Sequence, residues 1–190
     1  MNYYRLSIFY KRDVFFSFDG NSDKKELENG VFFGKSNPIK YTVDKIDKYL
    51  LNYDILPTIG APLVSTKFKT EFEQLLGNDC EFLPATIVSS ENGIIENSFY
   101  VLNLLKVIEC IDYSRSEVRP LIKNVPNSPI KIIVLYLNKE NLQNVHICRM
   151  QESKSIIIVD ETFVDLCNKI GINGIGFIKE GNQQQPDFFE

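Results

Sequence analysis

Residues 64–88 read VSTKFKTEFEQLLGNDCEFLPATIV, and this stretch decides the fold class. Ser65 stands where a helix N-cap belongs, because its hydroxyl can accept one of the backbone N–H groups that a first turn leaves free. Phe68, Phe72, Leu75 and Leu76 follow at i, i+4, i+7 and i+8, which places them on one helical face. Gly77-Asn78 ends the helix in the usual way. Cys80–Val88 then reads as a strand, and Ser89–Gly93 as a turn.

A second unit repeats this plan. Asp160 caps a helix whose inward face is Phe163, Leu166, Cys167 and Ile170, and Gly171 closes it before a last strand at Gly174–Ile178. Both units place an aromatic residue three positions after the cap. The echo fits a duplicated helix–strand unit and fits equally well two uses of a common motif.

Elsewhere the pattern favours strands. Tyr4, Leu6, Ile8 and Tyr10 share one strand face and Tyr3, Arg5, Ser7 and Phe9 the other, and Val14–Phe18 reads as the hairpin partner of that first strand. Lys24–Asn29 is a loop or short helix, Ile39–Val43 a strand, and Asp44–Leu51 one short helix. The apolar run Phe99–Ile111 fits either period, and its Phe, Tyr, Val and Ile content favours a strand. Further strands are expected at Ile130–Leu137, Val145–Met150 and Ser155–Val159. Tyr113–Pro129, with Pro120, Pro126 and Pro129, is expected to be a long functional loop. The sum is a single α+β domain with a mostly antiparallel sheet and two well-marked helices lying on one face.

Composition narrows the chemistry. The 190 residues carry 21 Lys and Arg against 25 Asp and Glu, a net charge of −4, with one histidine and four cysteines. The acidic balance disfavours nucleic acid as a partner, since such proteins usually present a basic face. No run approaches the roughly 20 apolar residues that cross a bilayer, so no membrane partner is expected. Met1-Asn2-Tyr3-Tyr4-Arg5 lacks a cationic leader with an apolar core, and a cytoplasmic location is expected. Cys80, Cys110, Cys148 and Cys167 are too scattered for a zinc site and read as buried thiols.

No motif assembles a catalytic centre. The glycines of Gly171–Gly176 follow a helix and enter a strand, the reverse of a phosphate loop. His146 and Cys148 share one face of a strand, yet side chains two residues apart rarely align for proton transfer. No catalytic, cofactor-binding or metal-ligating residue is therefore assigned.

The order of several blocks says more than any one of them. The chain shows DILPTIGAPLVSTKF at 54–68, EFLPATIV at 81–88, YVLNLLKVIECID at 100–112 and SRSE at 114–117. HICRM at 146–150, SIIIVDETF at 155–163 and GINGIGF at 171–177 follow. This succession resembles a family of bacterial polymorphic-toxin immunity proteins, immunity family eleven. Cys148 replaces an expected aromatic and Asp160 an expected serine cap, and each keeps the physical role. The resemblance implies a core at residues 39–178, with N-terminal strands at 1–38 and a polar, mobile tail at 179–190 outside it.

It also implies a function: neutralising a cognate toxin by direct binding, without catalysis and without a cofactor. An acidic inhibitor gains association rate against a basic toxin, which makes a nuclease the suggested class. The expected contacts lie in the proline-bearing loop, at Tyr113, Arg115, Glu117 and Arg119. Two rivals stand beside this reading: a small-molecule sensor with a pocket lined by the N-terminal aromatics, and a cysteine-dependent enzyme using His146.

Overall fold

A computed structural model describes residues 1–9, 16–18, 23–34, 37–58, 60–125 and 128–182. Tyr10, Val14, Phe15, Ile59, Pro126 and the glutamine-rich segment from residue 183 lie outside them. In chain order the elements are β1 (Tyr3–Ile8), β2 (Ser17–Phe18), α1 (Asp23–Glu28), β3 (Ile39–Val43), α2 (Lys48–Leu51), β4 (Ile55–Leu56) and β5 (Leu63–Ser65). Next come α3 (Thr66–Leu76), β6 (Cys80–Ser89), β7 (Ile95–Glu96), β8 (Phe99–Leu104) and β9 (Val107–Ile108). The chain continues through β10 (Glu117–Pro120), β11 (Ile130–Val134), β12 (Ile147–Met150), β13 (Ile157–Asp160), α4 (Glu161–Ile170) and β14 (Ile175–Lys179).

Both caps form as the sequence indicates. Ser65 Oγ accepts the Phe68 N–H at 3.1 Å, and Asp160 Oδ1 accepts the Phe163 N–H at 2.9 Å. Gly171 takes the left-handed conformation, φ 64°, that ends α4. The short α2 begins only at Lys48, because Asp47 accepts the Tyr49 and Leu50 N–H groups and fixes the start there.

Each long helix crosses over an inserted strand. β5 and β6 both pair antiparallel with β8, so β5–α3–β6 joins two parallel strands across it. β13 and β14 pair in the same way with β1, and α4 joins them. The two units thus share a plan, although the inserted strand follows the first unit in sequence and comes from the N-terminus in the second. A five-stranded sheet results, in the order β14-β1-β13-β12-β9, with only β12 and β9 parallel. The larger sheet runs β2-β3-β6-β8-β5-β4 with β7 beside β6, and β3 and β6 are its parallel pair.

Three apolar clusters alternate with these sheets. Both helices face the first, where Phe68, Phe72 and Phe163 are fully buried with ring centroids 4.3 Å and 4.7 Å apart along the series. Burying one such ring contributes about 1.5–3 kcal/mol, so this trio is a main tie between the two sheets. Leu83, Ala85, Ile87, Phe99 and Val101 point to the second cluster on the far side of the larger sheet. Tyr3, Cys148, Met150 and Ile158 point to the third, on the outer face of the five-stranded sheet.

Three expectations change. Phe99–Ile111 is extended, but it breaks at Leu105-Lys106 into β8 and β9, so one apolar run serves both sheets. The described end of the Val14–Phe18 run is not the partner of β1. β2 pairs with β3, and both edges of β1 are taken by β13 and β14, the strands that α4 connects. The segment Tyr113–Pro129 is not all loop, since Glu117–Pro120 pairs with β11 and Val118 packs on the third cluster beside Ile130 and Ile132.

Candidate protein-binding surface

The segment carrying the four nominated residues is built on Asp112. Its Oδ1 accepts the Ser114 N–H at 3.0 Å and the Ser114 hydroxyl at 2.6 Å, and its carbonyl accepts the Arg115 and Ser116 N–H groups. The Ser114 hydroxyl bond is the main reason the Asp112 carboxyl sits below its ordinary pKa, with Arg115 adding to the effect. The turn is fastened from below by Glu152, whose carboxylate accepts the N–H groups of Cys110 and Ile111 at 2.9–3.1 Å.

From this turn Tyr113 points outward, 61% exposed. Arg115 lies over the Tyr136 ring, 4.2 Å from its centroid, with Asp112 Oδ2 at 3.9 Å. Arg115 is thus held in place by stacking. Glu117 and Arg119 follow on β10, which pairs with β11 as a two-stranded ribbon separate from both larger sheets. The turn and the ribbon therefore hold the four residues in one surface region, Tyr113 and Arg115 at its base and Glu117 and Arg119 along its strand.

The sequence reading missed the ribbon's tip. Leu121, Ile122 and Val125 are 59%, 57% and 47% exposed at the end of the hairpin. Three exposed aliphatic side chains within five residues put apolar surface at one end of the ribbon, where a partner could cover it. Their signal in the sequence was weak but present: apolar residues set between Pro120 and Pro126 with no periodicity that would bury them.

Arg5 and Lys131 were missed as well. With Arg119 they line a groove of about 410 Å³ that also includes Ile132, Ile133, Leu135 and Asn182. Arg5 belongs to β1, between β14 and β13 in the five-stranded sheet, on the same face as Tyr3, so the groove lies where that face meets the ribbon.

A family model described as the Immunity protein family (Imm11) matches residues 24–182. The chain belongs to the Imm11 immunity protein family. No curated protein matches the chain. The Imm11 match spans β10 and β11 and ends at Asn182, one of the residues lining the groove.

The residues of the enzyme reading are engaged elsewhere in this Imm11 protein. His146 Nδ1 lies 2.7 Å from Asp160 Oδ2, while Cys148 Sγ faces Cys110 Sγ at 3.9 Å in the third cluster. The aromatics of the sensor reading serve packing: Tyr3 and Phe16 are buried in two different clusters, and Tyr4 meets Phe177 edge-on. The glycine turn after α4 is clamped by Asp54, which accepts the Ser65 hydroxyl at 2.7 Å and the Asn173 N–H at 3.0 Å. A Cβ at Gly174 would lie 2.6 Å from Tyr53 Cδ1, so close packing requires glycine there. Among the described residues, no group of three or more His, Cys, Asp or Glu is placed to hold a metal ion. No helix among them is long and apolar enough to cross a membrane.

Proposed function

We propose that this Imm11 protein neutralises a cognate bacterial toxin in the cytoplasm by direct binding, without catalysis, and that the β10–β11 ribbon is its main contact. The observation that carries the ribbon's role is the exposed apolar tip, Leu121, Ile122 and Val125, with Tyr113 exposed at the ribbon's base and charged side chains along it. Interfaces gain most of their affinity from a few buried anchors, with polar groups at the rim. A tip of this composition supplies the anchors, and Glu117, Arg119 and Lys123 supply the rim.

The net charge of −4 supports a toxin with a basic face, for which a nuclease is the natural class, because opposite charge raises association rates. Co-expression tests the proposal. The chain should restore growth to cells making the toxin encoded beside its gene, and a Leu121→Ser, Ile122→Ser, Val125→Ser variant should not. Full protection by that folded variant would remove the ribbon tip from the interface.

A further inference from the structure

The groove between the ribbon and the five-stranded sheet carries an unbalanced charge. Its described lining includes Arg5, Arg119 and Lys131 and no carboxylate. Arg119 and Lys131 are direct cross-strand partners in the β10–β11 register. Like charges opposite one another destabilise a hairpin, so this pairing does not serve the fold.

Arg5 is only partly exposed, and burial pushes its guanidinium below the ordinary pKa, with no offsetting charge among the described residues. Two described carboxylates stand near it in the fold. Glu180 lines a small neighbouring pocket with Arg5 but bonds to Lys139 at 3.1 Å and to the Leu137 N–H, and Glu117 lies opposite Val134, across a break in the register from Val118 and Arg119. Ile132, Ile133 and Leu135 give the groove an apolar wall.

We infer that this groove is an anion-binding subsite that receives an acidic polypeptide segment of the partner, Asp or Glu side chains meeting Arg5, Arg119 and Lys131. The apolar wall favours a peptide over a bare inorganic anion, because it can cover the aliphatic stems of glutamates. Guanidinium groups suit carboxylates through paired N–H donors. The overall charge of −4 governs the long-range approach of the partner, and the groove governs local registration once the ribbon has docked. The inference rests on the toxin-binding reading, and its test separates the two.

An acetylated hexaglutamate peptide is titrated into the full chain at low salt and followed by amide NMR, with pyrophosphate and a thymidine oligonucleotide as competitors. The peptide should shift the amides of β10, β11 and β1, and the Arg119→Gln, Lys131→Gln variant should weaken it about tenfold. Both positions are exposed, so the variant should keep the wild-type spectrum elsewhere. Peptide affinity within about twofold of wild type in that variant would overturn the inference. So would pyrophosphate or the oligonucleotide displacing the peptide at lower concentration, which would mark a phosphate site. In the toxin assay, wild-type protection with an unchanged toxin Kd for the double variant would overturn the groove alone. Failure of the wild-type chain to bind toxin would overturn the function and leave the peptide result standing.

Discussion

His146 and Asp160 are joined across adjacent strands: Nδ1 of the histidine lies 2.7 Å from Oδ2 of an aspartate whose side chain is 1% exposed. Asp160 Oδ1 meanwhile caps α4 through the Phe163 N–H. One carboxylate therefore ties β12 to β13 and starts the helix that crosses to β14. The single histidine, which first suggests catalysis, is part of the fold's fastening.

Replacing Asp160 should separate its two roles. Asp160→Ala loses the cap, worth about 1 kcal/mol, and takes the partner from a His146 ring that water partly reaches, a further loss of about 0.5–1.5 kcal/mol. Asp160→Asn keeps a capping oxygen and should cost at least about 1 kcal/mol less than Asp160→Ala. Urea unfolding followed by circular dichroism measures both. Equal costs for the two variants would show that the cap contributes nothing.

Arg149 presents the opposite case. It is 1% exposed, Nη1 donates to the Lys154 carbonyl, and Nε and Nη2 have no partner among the described residues. Burial lowers its pKa against the opposing field of Glu28. A buried charge with unpaired donors is a net cost, so Arg149→Met should be neutral or stabilising by about 1–2 kcal/mol. A loss of stability would mean that the guanidinium makes a compensating interaction.

The thiols should be inert in the native state. Cys80, Cys110, Cys148 and Cys167 are 7%, 0%, 0% and 2% exposed. Burial pushes the Cys80 thiol up to about 12 and raises Cys167 too, while contact with Cys148 and burial raise Cys110. Iodoacetamide at pH 8 should leave them unmodified by mass spectrometry over times that label all four in urea. Rapid native labelling of one site would identify a reactive thiol and revive a cysteine-dependent activity.

The Asp112 turn carries a pH dependence of known sign. Its carboxyl is held below the ordinary range by the Ser114 hydroxyl bond foremost, so the ionised form is favoured in the folded turn. That contribution is complete above the unfolded carboxyl pKa and is lost as pH falls through the lowered folded value. The Ser114 and Arg115 amide resonances should keep their neutral-pH positions through the ordinary carboxylate range and move only below it. A midpoint at or above the ordinary Asp value would contradict the bonding described.

The parts of the fold that were legible in sequence are those decided by neighbours in the chain. Ser65 and Asp160 each accept an N–H three residues on, so a short window contains the whole argument. Strand pairing was not local. β1 is claimed by residues 157–160 and 175–179, far along the chain, and no alternation pattern near Tyr4 or Leu6 records that. β10 was hidden because Pro120, Pro126 and Pro129 dominate its segment, while the apolar contact of Val118 with Ile130 and Ile132 forms only when the ribbon folds onto the third cluster. The groove gathers Arg5, Arg119 and Lys131 from separate strands, and no spacing rule connects them.

Neutralisation through the ribbon requires that the chain occupy the toxin's surface in a stable complex. Isothermal titration of the full chain with the toxin domain encoded beside its gene tests it most directly. A 1:1 complex with Kd at or below about 10⁻⁷ M is the expected result, weakened at least about tenfold by Leu121→Ser, Ile122→Ser, Val125→Ser with the urea midpoint unchanged. A folded wild-type chain that shows no binding with the toxin domain at about 10⁻⁵ M would contradict the account.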